Sequence, residues 1–368
     1  MKVRVLLITS EFPPGPGGIG HHAFFLAKQL SNNPNVTVEI LAPADYTSET
    51  ARINFDNNQS FTIFRFKRYG VFTYFHRIYK LSHLLYKNNY SHFWASGKFS
   101  LWMIWIQLTI YPSLKTLCIL HGSEVNLSNN ILRKITHRSI IKYNTIVSVS
   151  KYTQSLLPVK IINNHKQLKI IPNGVDLSNY QLNNKVTLEG FPSLLTVGHV
   201  TKRKGQHRAI KALPELIKLY PNVKYHIVGR PVEKDELIKL AKHLGVSRYL
   251  EFHGIIVDHK DLWDYYKASD VFLLLSENQA NGDVEGFGIV ALEANATGTP
   301  VVGAKNCGVE DAIDNGKSGV LVDGDNINEI VNAISFCLKN TNTLKNFSKA
   351  WAKQHDWNHI GKRFFELM

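Results

Sequence analysis

The residues whose types and spacing suit chemistry gather first in Glu285-Gly-Phe-Gly-Ile-Val-Ala-Leu-Glu293. The segment follows the apolar run Val271–Leu275 and opens a helix. Gly286 and Gly288 then leave backbone N–H groups open at a helix start, a place suited to negative charge. Carboxylates accept hydrogen bonds from hydroxyls. Read as one continuous helix at ~1.5 Å per residue, the two acids lie about 12 Å apart. Over that span one acid meets a sugar ring and the other a ribose across a diphosphate. Read alone, the segment is equally a helix with an acidic N-terminus and an unrelated later glutamate.

A second group is Val197-Gly198-His199-Val200-Thr201-Lys202-Arg203-Lys204-Gly205, between a strand and a helix. Arg203 and Lys204 near a helix N-terminus suit a diphosphate leaving group; alone, they are a solvated basic turn. A third is Ile119-Leu120-His121-Gly122-Ser123-Glu124, which places His121 at the carboxyl end of a strand. Ile171–Asp176 reads as a turn at a domain boundary. Gly15-Pro16-Gly17-Gly18-Ile19-Gly20 matches the dinucleotide fingerprint G-x-G-x-x-G, but three features reject that reading. Ser10–Pro14 intervene after the strand, Pro16 removes a donor, and the second strand ends in Leu-Ala-Pro with no acid for a ribose hydroxyl. Gly17 and Gly18 still suit close backbone approach to an anion at a helix start. Asp323-Gly324-Asp325 has the D-x-D spacing of metal-dependent transferases, yet it is ordinary turn chemistry.

The elements that must position these groups alternate strand and helix. Val3–Thr9, Val36–Leu41, Ile63–Phe66, His92–Ala95, Leu117–Leu120 and Thr145–Val149 read as buried strands, with an amphipathic helix through Ile19–Leu30. After a polar stretch, Asn183–Gly190, the pattern restarts. Strands are expected at Leu194–Val197, Val223–Val228, Leu250–Phe252, Val271–Leu275, Pro300–Val302 and Gly319–Val322. Helices are expected over Gln206–Leu219, Lys234–His243, Leu262–Ala268, Ile289–Ala296 and Ile327–Leu338. The fold class is α/β, with two doubly wound Rossmann-like domains. Ligands of such sheets bind outside the carboxyl ends of the strands, so a cleft between the domains is expected to hold the site.

The composition is that of an ordinary globular protein, 44% apolar and 20% charged over 368 residues. Three separated cysteines, Cys118, Cys307 and Cys337, form no metal-type pair and fit a reducing, cytoplasmic setting. The N-terminal apolar run is too short and lacks the cleavage site of a signal peptide. The longest apolar stretch, Phe99–Ile110, falls short of the ~20 residues of a spanning helix. Residues 1–185 hold 21 Lys and Arg against 7 Asp and Glu, and residues 186–368 hold 22 against 22. The whole formal charge of +14 therefore falls in the first half, which suits an anionic partner.

Taken together, the segments resemble the retaining glycosyltransferases of family 4 (glycosyl transferases group 1), which have the GT-B fold. The resemblance runs in order through Gly17-Gly18, His121-Gly122, Val149-Ser150-Lys151, Ile171–Asp176, Arg203-Lys204-Gly205, Glu285–Glu293 and Gly298–Val302. It implies an acceptor-binding domain over 1–180, a donor-binding domain over 181–353, and a helix within 354–368 packing back on the first domain. It implies that Glu285 binds donor-sugar hydroxyls with the amides of Gly286, Phe287 and Gly288, that Ile289 also lies at the donor, and that Glu293 binds the ribose. Arg203 and Lys204 would grip the diphosphate with Gly18 nearby, His121 would contact the sugar, and the base would lie along Gly229-Arg230 and Ile256. His199 stands where the family commonly has an arginine, and Arg203 is the residue placed to supply that charge. No metal or other cofactor is expected, because in this family the leaving phosphate takes the acceptor's proton.

The expected donor is a UDP- or GDP-sugar, and the expected acceptor a glycan or lipid-linked molecule of bacterial surface polysaccharide or glycolipid assembly. Within Phe64–Tyr90, Arg65, Lys67, Arg68, Arg77 and Lys80 interleave with Phe66, Tyr69, Phe72, Tyr74, Phe75 and Tyr79. That mixture suits peripheral contact with an anionic membrane. The alternatives are an epimerase of the same fold and a non-catalytic basic protein that binds nucleic acid or membrane. No nucleic-acid module is recognisable, so a nucleic-acid partner is not expected.

Overall fold

The computed structural model describes residues 3–368 except 16, 45–47, 68, 71, 179, 181–184 and 257, and the side chain of His259. Pro16, Arg68, the expected boundary at 181 and the start of the stretch Asn183–Gly190 thus lie outside the described residues. The chain forms two compact units, one of Met1–Asn173 with Trp357–Met368 and one of Gly174–Asp356.

The first unit is built on a parallel sheet of β1 (Val3–Thr9), β2 (Val36–Pro43), β3 (Thr62–Phe66), β4 (His92–Ser96), β5 (Lys115–Leu120), β6 (Thr145–Ser148) and β7 (Leu168–Ile170). Their order across the sheet is β3-β2-β1-β4-β5-β6-β7. The chain winds outward from β1 to β3, then returns to lay β4 on the other side of β1. The gap between the ends of β1 and β4 is therefore a topological switch point, where such sheets bind ligands. Leu6, Ile8, Phe93, Ala95, Cys118 and Leu120 are fully buried. Both faces of these strands are covered, which is why they read as continuous apolar runs rather than alternating ones.

The second unit repeats the plan with β8 (Ser193–Val197), β9 (Lys224–Val228), β10 (Leu250–Gly254), β11 (Val271–Leu274), β12 (Val301–Ala304) and β13 (Gly319–Val322), in the order β10-β9-β8-β11-β12-β13. Its switch point lies between β8 and β11. Helices Gln206–Leu219 and Ile327–Lys339 bury Ile210, Leu213, Ile330 and Ile334 against the sheet. Each such side chain contributes roughly 1.5–3 kcal/mol.

The units divide at Asn173/Gly174 and Asp356/Trp357, several residues from the expected 180/181 and 353/354. The reason is local. Val175 is buried, pairs with Asp356 in an isolated parallel bridge, and donates its N–H to His355 O at 2.9 Å, which draws residues 174–180 into the second unit. The terminal helix Trp357–Phe365 buries Trp357, Ile360 and Phe364. It packs on the helix Gly18–Ser31: Trp357 stacks on Phe25 at 5.9 Å, and Gly361 lies against Gln29. The strand β7 was not anticipated; at three residues, with only partial burial, it carries no pattern of its own. Phe99–Ile110 divides between two short helices, Lys98–Trp102 and Ile104–Ile110, and no described helix is long and apolar enough to cross a membrane.

Candidate active site

In the second unit, the loops leaving the switch-point strands carry the charged groups. β8 ends at Val197, and a single 3-10 turn, Lys202–Lys204, follows. Gly205 then caps the next helix in a left-handed conformation, φ 76°. A Cβ there would lie 1.8 Å from Leu275 O, so only glycine lets the turn pass so close to the end of β11. Arg203 O accepts the Glu277 N–H at 2.8 Å, which ties the two loops together.

The tie brings Arg203 and Lys204 onto Glu285. Arg203 Nη1 donates to Glu285 Oε2, and Lys204 Nζ reaches the same oxygen at 2.8 Å. Arg203 also pairs with Asp283 at 3.2 Å. Glu285 is 9% exposed. Burial pushes its carboxyl up, but the charges of Lys204 and Arg203 outweigh that and hold it down to about 2. A carboxylate and two cations are thus held together at one largely buried point, in a form that a hydroxyl-bearing anion can exchange into.

Glu285–Gly288 form a turn, and the helix starts only at Ile289, capped by Gly288 in the left-handed region, φ 86°. The continuous-helix spacing of about 12 Å expected between the glutamates therefore does not apply. Phe287 is buried and anchors the turn, and Gly308 lies so close to Gly286 that a Cβ would meet its carbonyl at 2.1 Å. Glu293, half-buried, accepts a hydrogen bond from the Tyr266 hydroxyl at 2.6 Å. That contact orients one oxygen and leaves the carboxylate a further acceptor position.

His199 is exposed. Desolvation, then the charges of Arg230, Lys204 and Arg203, lower its pKa, so it stays neutral among cations and adds no charge of its own. Gly229 and Arg230 follow β9, where the Gly229 backbone lies against Gly198. Arg230 O accepts the Val200 N–H at 2.9 Å. Gly229 N–H donates to Gly254 O at 2.6 Å, which links the end of β9 to that of β10, two residues before the half-buried Ile256. Asp325 forms a two-pronged pair with Arg208, at 2.8 and 3.1 Å, and Asp323 Oδ1 accepts the Asp325 N–H.

In the first unit, His121 follows β5, and its Nε2 is 2.9 Å from Ser96 Oγ at the end of β4. Its backbone N–H donates to the carboxylate of Glu124. Burial pushes the His121 ring down to about 3 and the Glu124 carboxyl up to about 7. His22, fully buried on the helix Gly18–Ser31, sets its ring edge-on to His121 at 5.0 Å. Gly17 caps that helix at φ 131°, with the Glu11 carboxylate where a Cβ would stand, and Gly18 is its first residue.

The structure therefore brings together Arg203, Lys204 and Glu285, with His199 and Arg230 beside them, and ties Gly229 to β10. It gives Glu293 a separate partner, Tyr266, and His121 a separate setting in the other unit. Reasoning from sequence missed Tyr266, Ser96 and Asp283, and it gave Glu124, inside the His121 segment, no role of its own. Only Glu124 and Asp283 had a local signal, each within three residues of a chosen group.

Two family models match in succession: "Glycosyltransferase Family 4" over residues 16–179 and "Glycosyl transferases group 1" over residues 181–354. A GDP-mannose-dependent alpha-(1-6)-phosphatidylinositol monomannoside mannosyltransferase of Mycolicibacterium smegmatis is 27% identical, over 99% of this chain and 98% of its own. A D-inositol 3-phosphate glycosyltransferase of Corynebacterium urealyticum is 27% identical over 77% of this chain and 71% of its own. Among solved structures, Anabaena Alr3699/HepE in complex with UDP superposes with a TM-score of 0.79 at 20% identity, over 99% of both chains. The two doubly wound sheets are those of the GT-B fold, and both halves match the family's models in succession: the chain belongs to the family 4 glycosyltransferases.

Proposed function

We propose that this glycosyltransferase moves a hexosyl unit from a nucleoside-diphosphate sugar to a glycan or lipid-linked acceptor, with retention at the anomeric carbon and without a metal. The observation that carries the reading is the convergence of Arg203 and Lys204 on Glu285 before the helix start at Ile289. In the donor complex, the diphosphate takes Arg203 and Lys204 as partners, and Glu285 turns to the sugar hydroxyls. Arg203 supplies the charge that His199 does not. Glu293 accepts from the ribose hydroxyls, and the base lies along Gly229, Arg230 and Ile256.

The bond from the anomeric carbon to the β-phosphate oxygen breaks, and a bond to the acceptor oxygen forms. The acceptor proton needs a base. His121, held near 3, and Glu285, held near 2, are both too weak to take it. The proton therefore passes to the leaving phosphate, whose developing charge Arg203, Lys204 and the amides of Gly286–Gly288 stabilise. These cations do the work for which other transferases use a metal. His121 acts as a neutral hydrogen-bonding group toward the sugar.

The relatives named for GDP-mannose make GDP-mannose the first donor to test. A thermal-shift panel of UDP-, GDP- and ADP-sugars should single out one nucleotide, because a ligand bound only by the folded state raises the melting temperature. No shift with any of them overturns the donor-site reading. Conversion of the bound sugar in the absence of acceptor would favour an epimerase instead.

Peripheral membrane contact belongs to the same proposal, on an altered basis. Arg77 is buried, donating to Thr9 O and Ser100 Oγ. Arg65 pairs with Asp56 at 2.6 Å, and Lys80 donates to Arg65 O at 2.7 Å. Three of the five basic groups thus serve the interior, and Arg68 is outside the described residues; Lys67 is exposed. The helix Phe72–Lys87 instead exposes aromatic rings along one face, with Phe72, Phe75 and Tyr79 each 66–70% exposed and Tyr86 83%. Such rings insert at the headgroup boundary. Flotation with vesicles should retain the protein, more strongly when the lipid is anionic, and the Phe72→Ser/Phe75→Ser variant should lose retention. Equal behaviour of the variant and the parent protein would remove the membrane claim.

A further inference from the structure

Two histidines and a glutamate meet on the outer strand pair of the second sheet and take no part in the arrangement described above. His226 in β9 stands opposite Glu251 in β10. The register then steps from Phe252↔Ile227 to Gly254↔Val228, so His253 is the extra residue of a bulge, a device that re-aims a side chain. His226 Nδ1 lies 3.0 Å from His253 Nε2 and 3.5 Å from Glu251 Oε2. His253 Nε2 lies 3.8 Å from Glu251 Oε1. One ligand atom from each of the three residues falls within 4.8 Å of the others.

These separations have the size a coordinated ion requires. A tetrahedral centre with bonds of ~2.0–2.1 Å keeps its ligand atoms about 3.3 Å apart. The remaining ring nitrogens are held from outside. His226 Nε2 is 2.9 Å from Glu189 O, and His253 Nδ1 is 3.3 Å from the Tyr265 hydroxyl. A carbonyl only accepts, so His226 carries its proton on Nε2 and turns a lone pair inward. Without an ion, His253 Nε2–H donates to that lone pair, and Tyr265 donates to His253 Nδ1. With an ion, the His253 proton moves to Nδ1, the Tyr265 hydroxyl rotates to accept it, and both inner nitrogens are free to ligate. A carbonyl and a hydroxyl behind the imidazoles are the partners that fix the orientation of metal-binding histidines.

We propose that His226, Glu251 and His253 form a binding site for a divalent transition metal, zinc(II) foremost, that clamps β9 to β10. Two imidazoles and one carboxylate suit zinc and its neighbours better than the all-oxygen shells of magnesium or calcium. His226 is fully buried, and the Glu251 side chain is 41% exposed, so the ion enters past Glu251 and keeps a fourth position for water. The clamp acts on structure and is no step of sugar transfer. Its consequence reaches the ends of the same two strands, where Gly229 is already bonded to Gly254.

The test uses the full chain, stripped of metal and titrated with zinc against a chromophoric chelator, and separately with cobalt(II) to read the visible absorption of the bound ion. One zinc per chain is expected, with a melting temperature that rises with zinc concentration, and a tetrahedral cobalt spectrum. Glu251→Gln and His253→Gln should each weaken zinc binding at least tenfold and abolish the cobalt band, while metal-free melting stays close to that of the parent. Binding no tighter than about 100 μM, or binding equal in both variants and the parent, would overturn the site. Glu251 is partly exposed, so its variant folds even if the His253 replacement disturbs the bulge.

Discussion

Glu285→Gln is expected to lower turnover by about a hundredfold or more while the protein remains folded. Removal of one preorganised group from a charge-stabilising site typically costs a factor of ~10²–10³. Glutamine keeps the shape and one acceptor oxygen, so the turn Glu285–Gly288 has no steric reason to move. What it lacks is the charge that draws Arg203 and Lys204 to one point. The sign of the stability effect follows from the depressed carboxyl. A group whose folded pKa is about 2, against an ordinary 4.5, stabilises the fold above about 4.5 and loses that contribution as the pH falls toward 2. The parent protein should therefore be more stable than the variant at pH 7, by on the order of 3 kcal/mol. The difference should close under acid. Steady-state nucleotide release measures the first effect, and urea unfolding at pH 7 and pH 3 the second. Full activity in the variant would sink the assignment of Glu285.

Lys204→Ala is expected to reduce kcat/KM about as severely, by ~10²–10³, and to weaken nucleotide-diphosphate binding as well. The Lys204 side chain lies over Gly198, where a Cβ would stand only 3.2 Å from Lys204 Cε, and ends 2.8 Å from Glu285. It is a half-buried cation, its side chain 11% exposed and directed at Glu285. Its loss leaves burial less opposed at Glu285, so that carboxyl should titrate at higher pH, and the variant should lose stability earlier on acidification. Isothermal titration with the matching nucleoside diphosphate and a pH series of melting curves would separate the two effects. Unchanged affinity together with an unchanged acid midpoint would show that Lys204 only decorates the turn. Arginine at this position should recover part of the binding but not all of the rate, because its planar fork cannot occupy the channel of a single ammonium.

Most strands were legible because a doubly wound sheet buries both faces, so each strand declares itself as a short apolar run; Val3–Thr9 and Gly319–Val322 have the bounds the sequence predicts. The helices Gln206–Leu219 and Lys234–His243 also agree residue for residue, since one apolar stripe marks their length. The basic residues of Phe64–Tyr90 were not legible in the same way. Charge says nothing about direction, and Arg77 turned inward to satisfy Thr9 O and Ser100 while the aromatics beside it turned out.

The sequence by itself determined the succession of elements, the glycines at Gly205 and Gly288 that let the backbone turn tightly, and the set of charged groups placed after strand ends. Those are consequences of local chemistry and periodicity, which neighbouring residues are enough to specify. Only the tertiary structure decided that Arg203, Lys204 and Glu285 share one buried point, that Glu293 answers to Tyr266, that His121 is kept neutral, and that His226 meets His253 across a bulge. Each of those depends on which strand lies beside which and on how deeply a group is buried. Pairing across 27 or 82 residues leaves no local pattern for the sequence to display.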